Sequence, residues 1–138
     1  MIVEGYAALF GVGDLMRDVV RAGAFRASLT SRRDALPMLV EHQARALAGY
    51  WREVKEDARG LFVRGEIRSE LPGAARAMRL IAHGGDGLSI GFVTVTAHES
   101  PSGRVLEEVD LLEVSLVTQP MQPLARFAPV RAQVRAIT

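Results

Sequence analysis

The chain contains no cysteine. A disulfide scaffold, a thiol nucleophile and a cysteine-ligated metal site are therefore excluded. Lysine is nearly absent too. Lys55 stands alone among 17 basic residues, and the arginines are spread along the sequence rather than clustered. Against 16 acidic residues this leaves a net charge of +1, so nothing global points to nucleic acid or a membrane surface as the main partner. No run approaches the roughly 18 apolar residues of a membrane span. The start, "MIVEGYAALF", lacks the basic segment and long apolar stretch of a signal peptide, so an intracellular, cytoplasmic location is expected.

What is present suffices for one domain with its own core: 138 residues, 49% of them apolar. Residues 2–10 are rich in β-formers and read as a first strand. In residues 22–33, Phe25 and Leu29 lie four apart, the spacing of a short amphipathic helix. Pro37 opens the apolar strand "PMLVEH", which ends at His42. Runs 47–55 and 61–67 flank "EDARG" and predict a hairpin, with Gly60 at a positive-φ position. A helix is predicted over 73–83, stopped by Gly84-Gly85. Two long β-branched runs, 88–98 and 104–118, flank the turn "ESPSG" and make a second hairpin. Pro120, Pro123 and Pro129 then disfavour regular structure. Strands joined by tight turns, without strand–helix alternation, argue for an antiparallel barrel or curved sheet with helices packed outside.

"DGLSIGF" (86–92) contains the letters G-x-S-x-G, with Ser89 between Gly87 and Gly91. A nucleophile elbow of the α/β-hydrolase kind needs a strand before the serine, a helix after it, and a histidine later in the chain. Here a helix precedes Ser89 and β-branched residues follow. The only histidine downstream, His98, lies on the same strand, about 30 Å away at the usual rise. The elbow is excluded, but the nucleophile is not.

If the second hairpin turns near Pro101, Ser89 lies opposite Glu113 and shares a face with it. Asp110 then pairs near Phe92 and Glu108 near Thr94, about 10 Å or more further along. A bulge shifts this register by one or two residues. Glu113 also interrupts the otherwise apolar "LLEVSLV", where a carboxylate must be paired, hydrogen-bonded or exposed. Ser115 is its next neighbour on the same face. His42 supplies the base that a serine hydroxyl usually needs, and a carboxylate at its second nitrogen would fix its tautomer. Each residue alone has a plainer reading: a solvent-facing Glu113, a structural His42, a small Ser89 where strands crowd. His83 reads as a helix C-terminal cap and His98 as solvent-facing beside a turn.

Taken in order, "GYAALF", "VVRAGAFRASL", "PMLVEH", "GYWREVKEDARGLFVRGEI", "DGLSIGF" and "EVDLLEVSLVTQPMQPLARF" resemble the prohead (procapsid) maturation serine proteases of tailed phages. They are especially similar to the versions found in gene transfer agents, the phage-like particles of alphaproteobacteria. The resemblance runs over residues 2–127. It implies a mainly β fold with flanking helices, a small antiparallel β-barrel similar to herpesvirus assembly proteases. It also implies a Ser89 nucleophile and a His42 base. Glu113 is the third member favoured by the hairpin geometry, and Asp110 is the runner-up. No metal or cofactor is implied. Many members of the family carry an acid after the histidine, where this chain has Gln43.

The expected organisation is a protease domain over 1–128 and a loosely held tail over 129–138. The expected partners are a major capsid protein and a scaffold on a separate chain, met inside assembling procapsids of a bacterial host. The herpesvirus relatives suggest a homodimer, although no interface helix stands out here. A capsid-assembly or peptide-binding barrel that has lost catalysis is the alternative from another functional class.

Overall fold

The computed structural model describes residues 1–130. Within them the order is β1 (Ile2–Leu9), β2 (Asp18–Val20), α1 (Arg26–Ser31), β3 (Leu36–Val40), β4 (Gln43–Glu56), β5 (Gly60–Ile67), α2 (Ala74–Ala82), β6 (Gly87–Ser100), β7 (Gly103–Val117) and β8 (Phe127–Pro129). All the strands join one curled sheet, ordered β2-β7-β3-β4-β5-β1-β8, with β6 on the other side of β7. Isolated bridges from Phe10 to Val20 and from Gly87 to Arg126 draw its ends together. The inner face carries the core. Trp51, Phe25, Leu36, Met38, Leu61, Leu106 and Leu111 are almost wholly buried there, each contributing about 1.5–3 kcal/mol by its removal from water.

The antiparallel pairs expected from the sequence form, and two parallel pairings join them. Strand β7 takes β2 alongside Arg104–Leu106 and β3 alongside Val114–Leu116. Between these stretches α1 and its flanks supply the partners. Val109 N–H donates to the Ala24 carbonyl at 3.0 Å. Leu111 N–H donates to Ser28 Oγ at 2.9 Å, and Arg32 donates to the carbonyls of Leu111 and Leu112. The short helix expected within 22–33 forms over six residues, Arg26–Ser31. Its flanks spend their backbone and side-chain groups on β7 instead of on further helical turns.

Helix α2 agrees with its prediction to within one residue at each end. Gly84 ends it at φ +84, and the His83 ring bonds the Arg79 carbonyl, the capping role expected of it. His98 is half exposed beside Glu107, as its place near a turn implies.

Gly60 does not occupy the left-handed position assigned to it. It begins β5 in an extended conformation, and a β-carbon there would come within 2.0 Å of the Ala8 carbonyl oxygen. The turn is held by Asp57, whose carboxylate accepts from the N–H groups of Arg59 and Gly60. The third proline also behaves differently from expectation. Pro129 ends a short strand on β1, and Val130 N–H donates to the Ile2 carbonyl at 2.8 Å. The rest of the expected tail, 131–138, lies outside the described residues.

Candidate active site

Strands β6 and β7 place Ser89 and Glu113, and the β3–β4 turn places His42. Ser89 lies directly opposite Ser115, and Glu113 opposite Gly91, two residues along from the expected register. The turn, which pairs Ser100 with Gly103, accounts for one residue of the difference and the bulge at Gly91/Phe92 for the other; the two irregularities around Thr96 cancel. A shift of two preserves the face, because side chains alternate with a period of two. Glu113 therefore remains on the Ser89 side of the ladder. Asp110 now opposes Val93 and Glu108 opposes Thr96.

Parallel pairing of β3 with β7 carries the chain to His42. After Val40, which lies beside Leu116, the chain reverses through Glu41 and His42 into Gln43. Both turn residues have positive φ, +52 and +59. Two successive left-handed residues are the backbone of a two-residue hairpin turn, normally built from Asn and Gly. For Glu and His that conformation is costly and persists only where neighbouring contacts hold it. Glu41 N–H donates to the Leu116 carbonyl at 3.0 Å. The Glu41 carboxylate accepts from Thr118 N–H at 2.7 Å. His42 N–H donates to Ser115 Oγ at 3.0 Å.

The turn delivers the imidazole to Glu113, with His42 Nδ1 2.5 Å from Glu113 Oε1. An ionised carboxylate only accepts, so Nδ1 carries the proton and Nε2 is left with its lone pair free to receive one. Glu113 is largely buried, while the His42 ring is 42% exposed. The hydrogen bond to Glu113 pushes the His42 pKa above its ordinary value of 6.5; partial burial opposes this, and the charges of Glu113 and Glu41 add to it. Gly91 makes room for this arrangement, since a β-carbon there would lie 2.1 Å from Glu113 Oε1.

Ser89 is 92% buried, at 8% relative exposure. It and His42 line the same cavity of about 180 Å³, together with Phe92, Leu106, Met121 and Gln122. Among the described residues the Ser89 hydroxyl and the His42 ring do not hydrogen-bond one another, a spacing common in ligand-free sites whose contacts tighten on substrate. Asp110 is elsewhere. It is exposed and accepts a hydrogen bond from Ser28 at 3.2 Å, so of the two candidate acids only Glu113 meets His42.

Sequence reasoning missed Gln122. Its buried amide accepts from Leu9 N–H at 2.6 Å and donates to the carbonyls of Leu9 and Val12, fastening the segment after β7 to the end of β1. A buried polar residue between two prolines was the available signal. The Glu41–His42 turn was missed as well, because neither residue type announces positive φ.

Residues 1–138 match the family described as caudovirus prohead serine protease. The chain is 32% identical over 136 residues to the prohead protease of Enterobacteria phage HK97, covering 95% of this chain and 60% of that protein's length. Among solved structures, it is similar to the bacteriophage T4 capsid assembly protease, with a TM-score of 0.67 at 14% identity over 84% of this chain and 80% of that one. It is also similar to the protease of Kaposi's sarcoma-associated herpesvirus solved with a hexapeptide phosphonate inhibitor. That TM-score is 0.62 at 19% identity, over 91% of this chain and 63% of that one. At these identities the two structures speak for the fold, and it is the fold expected from the sequence. By the match along its whole length, the chain belongs to the caudovirus prohead serine protease family.

Proposed function

We propose that the chain is a serine endopeptidase in which Ser89 is the nucleophile, His42 the general base and Glu113 the acid that orients it. The contact between Glu113 and His42 Nδ1 carries this reading, because it leaves Nε2 unprotonated on a residue that lines the same cavity as Ser89. In the first step His42 Nε2 takes the Ser89 proton as Oγ attacks a peptide carbonyl. The imidazolium, held by Glu113, then gives that proton to the leaving amine as the acyl-enzyme forms. Water, deprotonated by His42, releases the acyl group and regenerates the serine. Donors for the tetrahedral oxyanion are required by this chemistry.

The substrates in this reading are the N-terminal segment of a major capsid protein, a scaffold protein, or both, inside an assembling procapsid. The family assignment supports this, since the HK97 relative is named a prohead protease and the T4 protein a capsid assembly protease. The ordered motifs further favour the gene transfer agent branch. Removing the capsid segment would commit the shell to maturation. Co-expression of the capsid protein with Ser89→Ala tests the assignment: trimming is expected to stop, and trimming at the normal rate would exclude Ser89 as the nucleophile.

A further inference from the structure

Ser115 is fully buried and its hydroxyl is spent on two partners, both belonging to the candidate site. It accepts the His42 main-chain N–H at 3.0 Å and donates to Glu113 Oε2 at 2.7 Å. The other oxygen of that carboxylate holds the His42 ring. These three hydrogen bonds form a closed loop through His42 main chain, Ser115, Glu113 and His42 side chain. One hydroxyl thereby ties down both ends of the histidine. The backbone of Ser115 is itself fixed on both sides, beside Leu39 of β3 and opposite Ser89 of β6.

We propose that Ser115 is a positioning residue of this site, setting the imidazole by bridging the main chain of His42 to the carboxylate that its ring meets. Three observations make this more than a satisfied buried hydroxyl. The N–H it accepts belongs to a residue at φ +59, a conformation that needs support from outside the turn. The carboxylate it donates to has two oxygens, and without a donor on Oε2 nothing else among the described side chains holds Glu113 in the rotamer that reaches His42. Ser115 also stands across the ladder from the nucleophile, with Cβ atoms about 5 Å apart. The strand that carries Ser89 and the turn that carries His42 are therefore referenced to one point.

This inference rests on the protease reading for its kinetic consequence but not for its physical one. The test is Ser115→Ala, with Ser115→Cys as a variant that keeps a weaker donor. His42 ring titration is followed by NMR in the substrate-free protein, and kcat and KM are measured on the capsid protein. The other charged groups about His42, namely Glu41 in its turn, Glu113 on β7, and Asp14 and Asp18 on the cavity wall, are the same in all three proteins. Ser115→Ala is expected to bring the His42 midpoint down toward 6.5 and lower kcat by up to about 100-fold with little change in KM, the penalty for a misplaced catalytic group. Ser115→Cys is expected to fall between. An unchanged His42 midpoint with full kcat in Ser115→Ala would overturn the proposal and leave the protease reading standing. A shifted midpoint in a protein that cleaves nothing, even as wild type, would uphold the bridge and sink the protease reading.

Discussion

Glu113 lies directly across the β6–β7 ladder from Gly91, and its carboxylate fills the space that a β-carbon at Gly91 would need. Replacing Gly91 by Ala must push that carboxylate aside. The displaced group is the end of a side chain, so the fold should tolerate the change at a cost of about 1–3 kcal/mol. The site should not, because Glu113 then loses His42. A large fall in kcat beside a modest fall in melting temperature is the expected pair of results. Thermal melts and turnover on the same preparation check it.

The His42–Glu113 pair also dictates a pH dependence. If His42 is the base, as proposed, it is available only above its raised pKa, so kcat/KM should rise with pH through a midpoint above 6.5. Glu113→Gln removes the main cause of the shift, and its midpoint should move down toward the ordinary value while the plateau falls. For stability the sign is the opposite one. A histidine whose pKa is raised on folding contributes stability below its unfolded value, and loses it as pH rises through the folded one. The margin of wild type over Glu113→Gln in melting temperature should therefore be largest near about pH 5–6 and shrink at alkaline pH. A pH series of melts on the two proteins reads this directly.

Asp110 provides the internal control. It was the competing acid in the sequence, and it faces Ser28 on α1 rather than His42. Asp110→Asn should keep kcat/KM within about twofold and leave its pH midpoint where it was, as an exposed substitution away from the site does. Steady-state kinetics on this variant and on Glu113→Gln separate the two carboxylates.

Gln122 braces the wall of the cavity, and its amide must both accept and donate. Gln122→Ala strands a buried N–H and a buried carbonyl of Leu9, which should cost about 1–3 kcal/mol. Gln122→Glu still accepts but, when ionised, presents a charge to the Leu9 carbonyl, so it should be less stable than Gln122→Ala. Both should raise KM more than they lower kcat. Denaturant melts and initial-rate kinetics test the ordering.

Local chemistry was the legible part of this chain. Gly84 past the end of α2, the β-branched runs of β6 and β7, and a lone carboxylate in "LLEVSLV" each announce what they do. The pairing of Ser89, His42 and Glu113 as candidates followed from hairpin arithmetic together with family resemblance. That arithmetic placed Glu113 two residues from its true partner, because the turn pairs Ser100 with Gly103 rather than centring on Pro101, and the bulge at Gly91/Phe92 leaves no mark in composition. The parallel pairings of β2 and β3 on β7 were invisible, since they join segments far apart in sequence and depend on α1 to fill the gap between them. The positive φ of Glu41 and His42 was hidden for a related reason. It is imposed by contacts with Leu116, Ser115 and Thr118, not by the two residues themselves.

The claim that His42 activates Ser89 is met most directly by reacting the protein with a peptide fluorophosphonate and mapping the adduct by mass spectrometry. The arrangement predicts one adduct, on Ser89, formed faster as pH rises through the His42 midpoint and abolished by Ser89→Ala or His42→Ala. An adduct on another residue, or undiminished labelling of Ser89 in His42→Ala, would contradict it.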